Sequence, residues 1–391
     1  LIAASVPDGT DHKTACLFCA PLIDDRIEPT FRRWKAPMKL FVCDHCGNTV
    51  YFENDSCERC GRRLGYWPDQ NKMVSVVEDG FHSVSARNNQ SFVFCDNARF
   101  GACNWLIPAD PTGPVFCVAC QHNDTIPTIV DPTNLLYWQV MERAKKRLFY
   151  SLLQLNLPLR NRRDDPYQGL SFRFLGGSAP DGPPVLTGHQ SGVITIALVE
   201  ADDAEREARR ARMGEPYRTL LGHFRHEVGH HYWQQLVANG GQLDGFRAVF
   251  GDERKNYGEA LSVYYQAGPP TGWAQFFISA YATAHPWEDF AETFAHYLHI
   301  VDSIEMAGAF GTQTRPLTND ATLTIVGNYN PYGAKSAREL VGHWVPLAAL
   351  LNNLNRTMGQ MDAYPFVLNP PVIHKLDFVH RLIHANAGLP R

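Results

Sequence analysis

All ten cysteines of this 391-residue chain fall between Cys16 and Cys120, and the 271 residues that follow contain none. That split predicts a small metal-stapled region followed by a larger body that folds on its own apolar core. Cys43-x2-Cys46 and Cys57-x2-Cys60 each lead into a glycine, Gly47 and Gly61. This is the spacing of two zinc knuckles, in which backbone amides point at thiolate sulfurs and the metal closes a short hairpin. Cys95, Cys103, Cys117 and Cys120 offer a second set of four with looser spacing, read as a second tetrahedral zinc site. Cys16 and Cys19 are left over, as half a metal site or as bystanders. Disulfides are the competing use of such pairs, but residues 1–20 lack a basic start followed by an apolar run, so no export signal is visible. Zinc thiolates in a reducing cytoplasm fit better. No stretch approaches the roughly 20 apolar residues of a membrane span, so a soluble cytoplasmic protein is expected.

The cysteine-free part contains Arg225-His226-Glu227-Val228-Gly229-His230. On a helix, positions four apart share a face, so His226 and His230 can grip one metal ion while Glu227 serves as general base toward the water it carries. Leu220, Leu221, Phe224, Val228, Trp233, Leu236 and Val237 recur at helical spacing, with Gly-Glu-Pro before them and Asn239-Gly240-Gly241 after as start and stop signals. A five-residue pattern also occurs by chance on ordinary helices, so further ligands must be sought.

A catalytic zinc takes a third protein ligand and keeps a fourth position open. Downstream, a helix is predicted to begin at about Pro286, with acids in its first turn and Phe290, Phe294, Tyr297 and Leu298 on one stripe. Glu288 and Glu292 are then four apart on one face. The pattern allows Glu288 to ligate the metal while Glu292, one turn on, hydrogen-bonds a ligand histidine and fixes its tautomer, with Asp289 also in the supporting shell. A solvated acidic face is the ordinary fate of such pairs, but these acids alternate with large apolar residues.

His226-Glu-x-x-His230 followed by Glu288-x-Phe290-Ala291-Glu292-x-Phe294 resembles the gluzincin metallopeptidases whose third ligand lies in a Glu-x-Phe-Ala motif. The resemblance implies His226, His230 and Glu288 as ligands and Glu227 as general base. In one member of this group a tyrosine seven residues before the glutamate ligand helps stabilise the transition state, and the matching position is Tyr281. Tyr281 ends an apolar segment, Phe276 to Tyr281, that reads as helix, so a core role competes with the catalytic one. From Met38 onward the chain also resembles a bacterial family of zinc-binding metallopeptidases with an N-terminal zinc ribbon. The matching pieces are Met38 to Cys43, Cys103 to Pro108, Arg225 to His231 and His285 to Glu292. This implies an α+β architecture: a small β zinc ribbon, then a mainly α-helical, zincin-like metallopeptidase domain with a small β-sheet.

The expected organisation is an extension over residues 1–37, a zinc-ribbon region over 38–125 and the peptidase domain over 133–391. A hydrophobic content of 45% with 12% aromatics suffices for a sizeable core in the last of these. Residues 133 to 156 read as an amphipathic helix, Leu170 to Leu175 and Val193 to Leu198 as strands, and the mixed charges of 202–210 as an exposed helical face. Gly192 to Leu198 is a candidate edge strand to which an extended peptide could add, or else an interior strand. Amphipathic helices from about Ala334 to Leu354 and from Pro371 to Ile383 are read as support beneath the catalytic helices. His223 and His231 flank the motif without sharing a useful face with both of its histidines.

Three functions compete at this point: a zinc peptidase acting on peptide or protein substrates, a zinc-ribbon binding module with a latent hydrolase site, and a zinc hydrolase of a non-peptide bond. Residues 1–124 carry 12 Lys/Arg against 15 Asp/Glu, a formal net charge of −3, which argues against nucleic acid as the partner of the ribbons. The cofactor expected is zinc, one catalytic ion and two structural ones. Oligomeric state is not legible.

Overall fold

A computed structural model describes residues 40–386 other than 80–81, 86–89, 111, 177–186, 214–218 and 319. Cys16, Cys19 and the expected extension over 1–37 lie outside the described residues.

The described residues start with a two-stranded antiparallel hairpin, β1 (Phe41–Val42) and β2 (Thr49–Val50), which brackets the first knuckle. The turns need left-handed backbone, and Gly47 (φ 75°) and Gly61 (φ 69°) supply it. A five-stranded antiparallel meander follows: β3 (Arg63–Trp67), β4 (Lys72–Asp79), β5 (His82–Ser85), β6 (Ser91–Phe94) and β7 (Leu106–Pro108). The sheet curls until its first and last strands meet. A Cβ at position 65 would lie 2.4 Å from Leu106 Cγ, so only glycine permits that approach.

From the ribbon the chain enters β8 (Asn123–Thr125), which joins a second, four-stranded sheet of order β10-β11-β9-β8 with β9 (Ser171–Leu175), β10 (Gly188–Gln190) and β11 (Val193–Ala197). Here one expectation is corrected. The segment Gly192 to Leu198 is not an edge: β11 pairs in parallel with β9 on one side and antiparallel with β10 on the other. Ser191 (φ 48°) and Gly192 (φ 82°) form a two-residue hairpin loop with both central residues left-handed, and among the described residues β10 takes the edge position.

α1 (Pro132–Gln154) begins at a complete cap, with Asp131 accepting from Thr133 N at 2.8 Å and Pro132 in the first turn. After β11 come α2 (Asp203–Met213), α3 (Leu220–Tyr232), α4 (Leu243–Phe250), α5 (Tyr257–Ala267), α6 (Pro286–Ala309), α7 (Ala337–Thr357) and α8 (Pro370–Asn386). α3 passes into a π-helical turn, Trp233–Ala238, before stopping at Asn239. The segment 276–280, expected as helix, is irregular, and Tyr281 opens a single 3-10 turn.

One apolar core extends from Phe41 in the ribbon to Ile383 in α8. At the junction the Phe52 ring meets Tyr150 of α1 edge-on and the Tyr66 ring lies tilted against it, with Trp105 packed against both Phe52 and Tyr66. α6 runs through the centre of the helical part. α7 and α8 back it, with Tyr297 hydroxyl 3.0 Å from His380 Nδ1. Among the described residues no helix is long and apolar enough to cross a membrane.

Candidate metal centre

α3 and α6 cross at Gly229 and Ala291. A Cβ at Gly229 would stand 2.9 Å from Ala291 Cα and 3.1 Å from its carbonyl oxygen, so the glycine inside the His-Glu-Val-Gly-His motif allows near-contact of the two backbones. That closeness brings the first turn of α6 to the histidine face of α3. The turn is fixed by His285, whose ring accepts from Trp287 N at 3.1 Å, and by Pro286.

The result is a three-residue cluster. Glu288 Oε2 lies 3.0 Å from His226 Nε2, Glu288 Oε1 lies 3.5 Å from His230 Nε2, and the two Nε2 atoms are 3.2 Å apart. A tetrahedral zinc with bonds of about 2.0 Å to nitrogen and oxygen separates its ligand atoms by about 3.3 Å. The residues fit that ion without rearrangement. Glu288 is fully buried, which would be costly for an unpaired carboxylate. Burial opposes its ionisation, but the two imidazoles and their hydrogen bonds outweigh that and hold it well below the usual carboxylate range. Burial likewise opposes charge on His226, and Glu288 and Glu292 more than offset it, raising the ring well above the usual histidine value. Carboxylates that stabilise an imidazolium in this way equally stabilise a divalent cation in place of the proton.

Glu292 accepts at 2.7 Å from His226 Nδ1 and at 2.6 Å from the Ser279 hydroxyl. Despite burial, these bonds keep its carboxyl down at about 2, and with Nδ1 engaged by Glu292 the histidine has Nε2 facing the cluster. Glu227 is buried beside these groups; burial raises its pKa, and its Oε2 makes no hydrogen bond within the described residues. Tyr281 lies with its ring centroid 5.9 Å from that of His226.

Other sequence candidates sit elsewhere. Asp289 pairs at 2.6 Å with Lys375 of α8, a buried bond that ties two helices and leaves the histidines to Glu292. His231 packs against His189 and Tyr232, and His223 approaches Glu200 at 3.5 Å. Two neighbours were not foreseen. Tyr257 of α5 donates to Glu288 Oε1 at 2.7 Å, and His189 of β10 stacks on His230 at 6.2 Å. Tyr257 carried no positional signal, since it lies a helix and a loop away from Glu288 in sequence. For His189 the Ser191-Gly192 hairpin turn was the available clue.

The cysteines form two further clusters. Cys43, Cys46, Cys57 and Cys60 place sulfurs 3.5 and 3.8 Å apart across the pairs, and Cys103 to Cys117 is 3.8 Å in the set completed by Cys95 and Cys120. Sulfurs on a tetrahedral zinc at about 2.3 Å stand about 3.8 Å apart, whereas a disulfide needs about 2.05 Å. All eight are free thiols.

Residues 134–382 match the family model described as "Putative zinc-binding metallo-peptidase", and residues 40–131 match that of a zinc-ribbon domain. The chain belongs to this metallo-peptidase family. It is 39% identical over 347 residues to an uncharacterized protein of Mycobacterium tuberculosis and to its counterpart in Mycobacterium bovis, covering 88% of this chain and 95% of each relative. No solved structure matches the chain.

Proposed function

We propose that this chain is a zinc-dependent peptidase of the gluzincin type, with one ion held by His226, His230 and Glu288. The observation that carries the reading is the tetrahedral spacing of those three ligand atoms, with the buried carboxylate of Glu227 beside them. A zinc ion there would act as a Lewis acid on the substrate carbonyl and make an attacking water more acidic. Glu227 takes the proton from that water and passes it to the departing amine nitrogen. A carboxyl with pKa raised by burial suits both halves of that task, because it binds the proton more readily than a solvated one. Glu292 holds His226 in the ligating tautomer, and Tyr257 steadies Glu288. Tyr281, with its ring 5.9 Å from that of His226, is assigned as donor to the developing oxyanion. β10, with one strand partner among the described residues and its His189 against His230, offers the edge to which an extended peptide can add. The two four-cysteine clusters each hold a structural zinc.

The test is cleavage of an unbiased peptide library by the wild type and by Glu227→Gln at equal zinc content. Removing the base while sparing the ligands should lower kcat by a factor of at least about 100, general acid–base catalysis contributing that much or more, with zinc unchanged. Equal cleavage by both proteins would remove Glu227 from the mechanism, and no cleavage by the wild type would count against a peptidase.

A further inference from the structure

α5 is an amphipathic helix with no fully buried residue. Tyr257, Ala260, Leu261, Tyr264 and Tyr265 recur at three- and four-residue spacing on one face, with Glu259, Ser262 and Gln266 on the other. Such a face ordinarily packs into a core, yet none of the helix's residues is buried and none belongs to the apolar core. The helix is nonetheless well formed. Asn256 caps its start, accepting from Glu259 N at 3.2 Å, and Gly268 (φ 72°) ends it.

The apolar face is fastened at the candidate metal centre. Tyr257 donates to Glu288 Oε1 at 2.7 Å, and the Tyr264 ring meets Tyr281 edge-on at 5.6 Å. Tyr265, 60% exposed, packs edge-on against Tyr264, and the Tyr281 ring that Tyr264 meets lies in turn against His226. Leu261 stands on the same face between these fastenings, only partly buried. Charge is almost lacking. From Tyr257 to Ala280 the sequence holds a single charged residue, Glu259, but four tyrosines and phenylalanines in addition to Tyr257, together with Trp273. Phe276 is 55% exposed. A charge-poor, aromatic-rich exposed surface has the composition of the centre of a binding interface.

We propose that the apolar face of α5 is the substrate wall of the catalytic site, taking an extended, uncharged peptide segment with a large apolar or aromatic side chain, and that Leu261 and Tyr265 determine this specificity. The inference rests on the peptidase reading for its substrate class. Continuity decides the occupant: the same face that contacts Glu288 and Tyr281 carries Leu261 and Tyr265, so a chain held over the reacting atoms must pass along it. A side chain placed there covers the apolar positions that the protein itself leaves wet.

The test uses binding, so that it does not depend on turnover. Zinc-loaded Glu227→Gln is titrated calorimetrically with capped glycine-rich heptapeptides carrying Phe, Leu, Ala or Asp at each position in turn. Phe and Leu peptides should bind about tenfold more tightly than their Ala and Asp counterparts at one position, which is the range set by a hydrophobic pocket. Adding Leu261→Ser should erase the preference, while Gln266→Ala on the opposite face should leave it intact. Absence of binding, absence of discrimination, or discrimination that survives Leu261→Ser overturns the proposal. A preference abolished by Leu261→Ser without cleavage by the wild type would sustain the wall and sink the peptidase, so the two failures are distinguishable.

Discussion

The two four-cysteine clusters share one chemistry and do different structural work. In the first, Cys43 and Cys57 are buried while Cys46 and Cys60 are half-exposed. Its sulfurs sit beside the amides of their own turns, and at Cys57 those of Cys60 and Arg59 work against burial, with the thiol held down at about 6. In the second, three of the four cysteines are buried and the charge balance comes from the helical part of the chain. Lys146 of α1 reaches Cys120 Sγ at 3.2 Å and Glu142 at 2.7 Å, while Glu142 also binds Lys145 and Asn123. Burial would strip the proton from Lys146, but the thiolates of Cys103 and Cys120 and the Glu142 carboxylate raise its pKa well above the usual lysine value. Zinc with four thiolates is a dianion, and a buried dianion needs a cation beside it. One cluster therefore shapes a hairpin, whereas the other fastens the ribbon to the first helix of the peptidase region. The strand that follows it, β8, completes the peptidase sheet.

The largest expected effect breaks that fastening. Cys117→Ser should destabilise the whole described body by at least about 4 kcal/mol, the range reached by loss of a metal site, and thermal melting of the helices should shift or lose cooperativity. Cys46→Ser should disorder the first hairpin and leave the helical melt in place, as read by circular dichroism and hydrogen exchange. Equal damage from both would abolish the distinction.

Next in size is Lys146→Met, which removes one partner and leaves buried negative charge uncompensated at a cost of about 3–5 kcal/mol. Its thermal shift should follow that of Cys117→Ser, while zinc stays on the first cluster. A chelator sharpens the same contrast without mutation. Zinc should leave in separable phases, the first cluster before the second, with release from the second tracking global unfolding; a single phase for both would contradict the account. The smallest effect is Asp44→Ala. Asp44 lies inside the first knuckle and accepts from Ser75 N at 2.9 Å and from its hydroxyl at 2.5 Å. Its loss should cost about 1–2 kcal/mol, confined to exchange protection of β1, β2 and β4.

Local patterns carried much of this architecture. The CxxC knuckles with their glycines, the i,i+4 histidines and the proline-led helix with Glu288 and Glu292 are short-range signals, and the structure builds each as a turn or helix at the expected place. What stayed illegible depends on partners distant in sequence. Lys145, Lys146 and Glu142 look like a solvated helical face until Cys120 and Asn123 are brought against them. Tyr257 gains meaning only when α5 meets Glu288. Whether β11 is edge or interior depended on the three-residue strand β10, too short for alternation to register, although Ser191-Gly192 marked its turn. The apolar neighbours of Tyr281 predict a helix, whereas the chain is irregular over 276–280 and the Tyr281 ring lies beside His226. Gly229 is the converse case, a motif residue whose role as the crossing point with Ala291 required both helices.

The central claim is three separate zinc sites, two of cysteine and one of His226, His230 and Glu288. Native mass spectrometry of the zinc-loaded wild type and of Glu288→Ala tests it most directly. The account predicts about three zinc ions per chain in the wild type and about two in the variant, with the folded charge-state distribution unchanged. Two ions in the wild type, or the same number in both proteins, would contradict it.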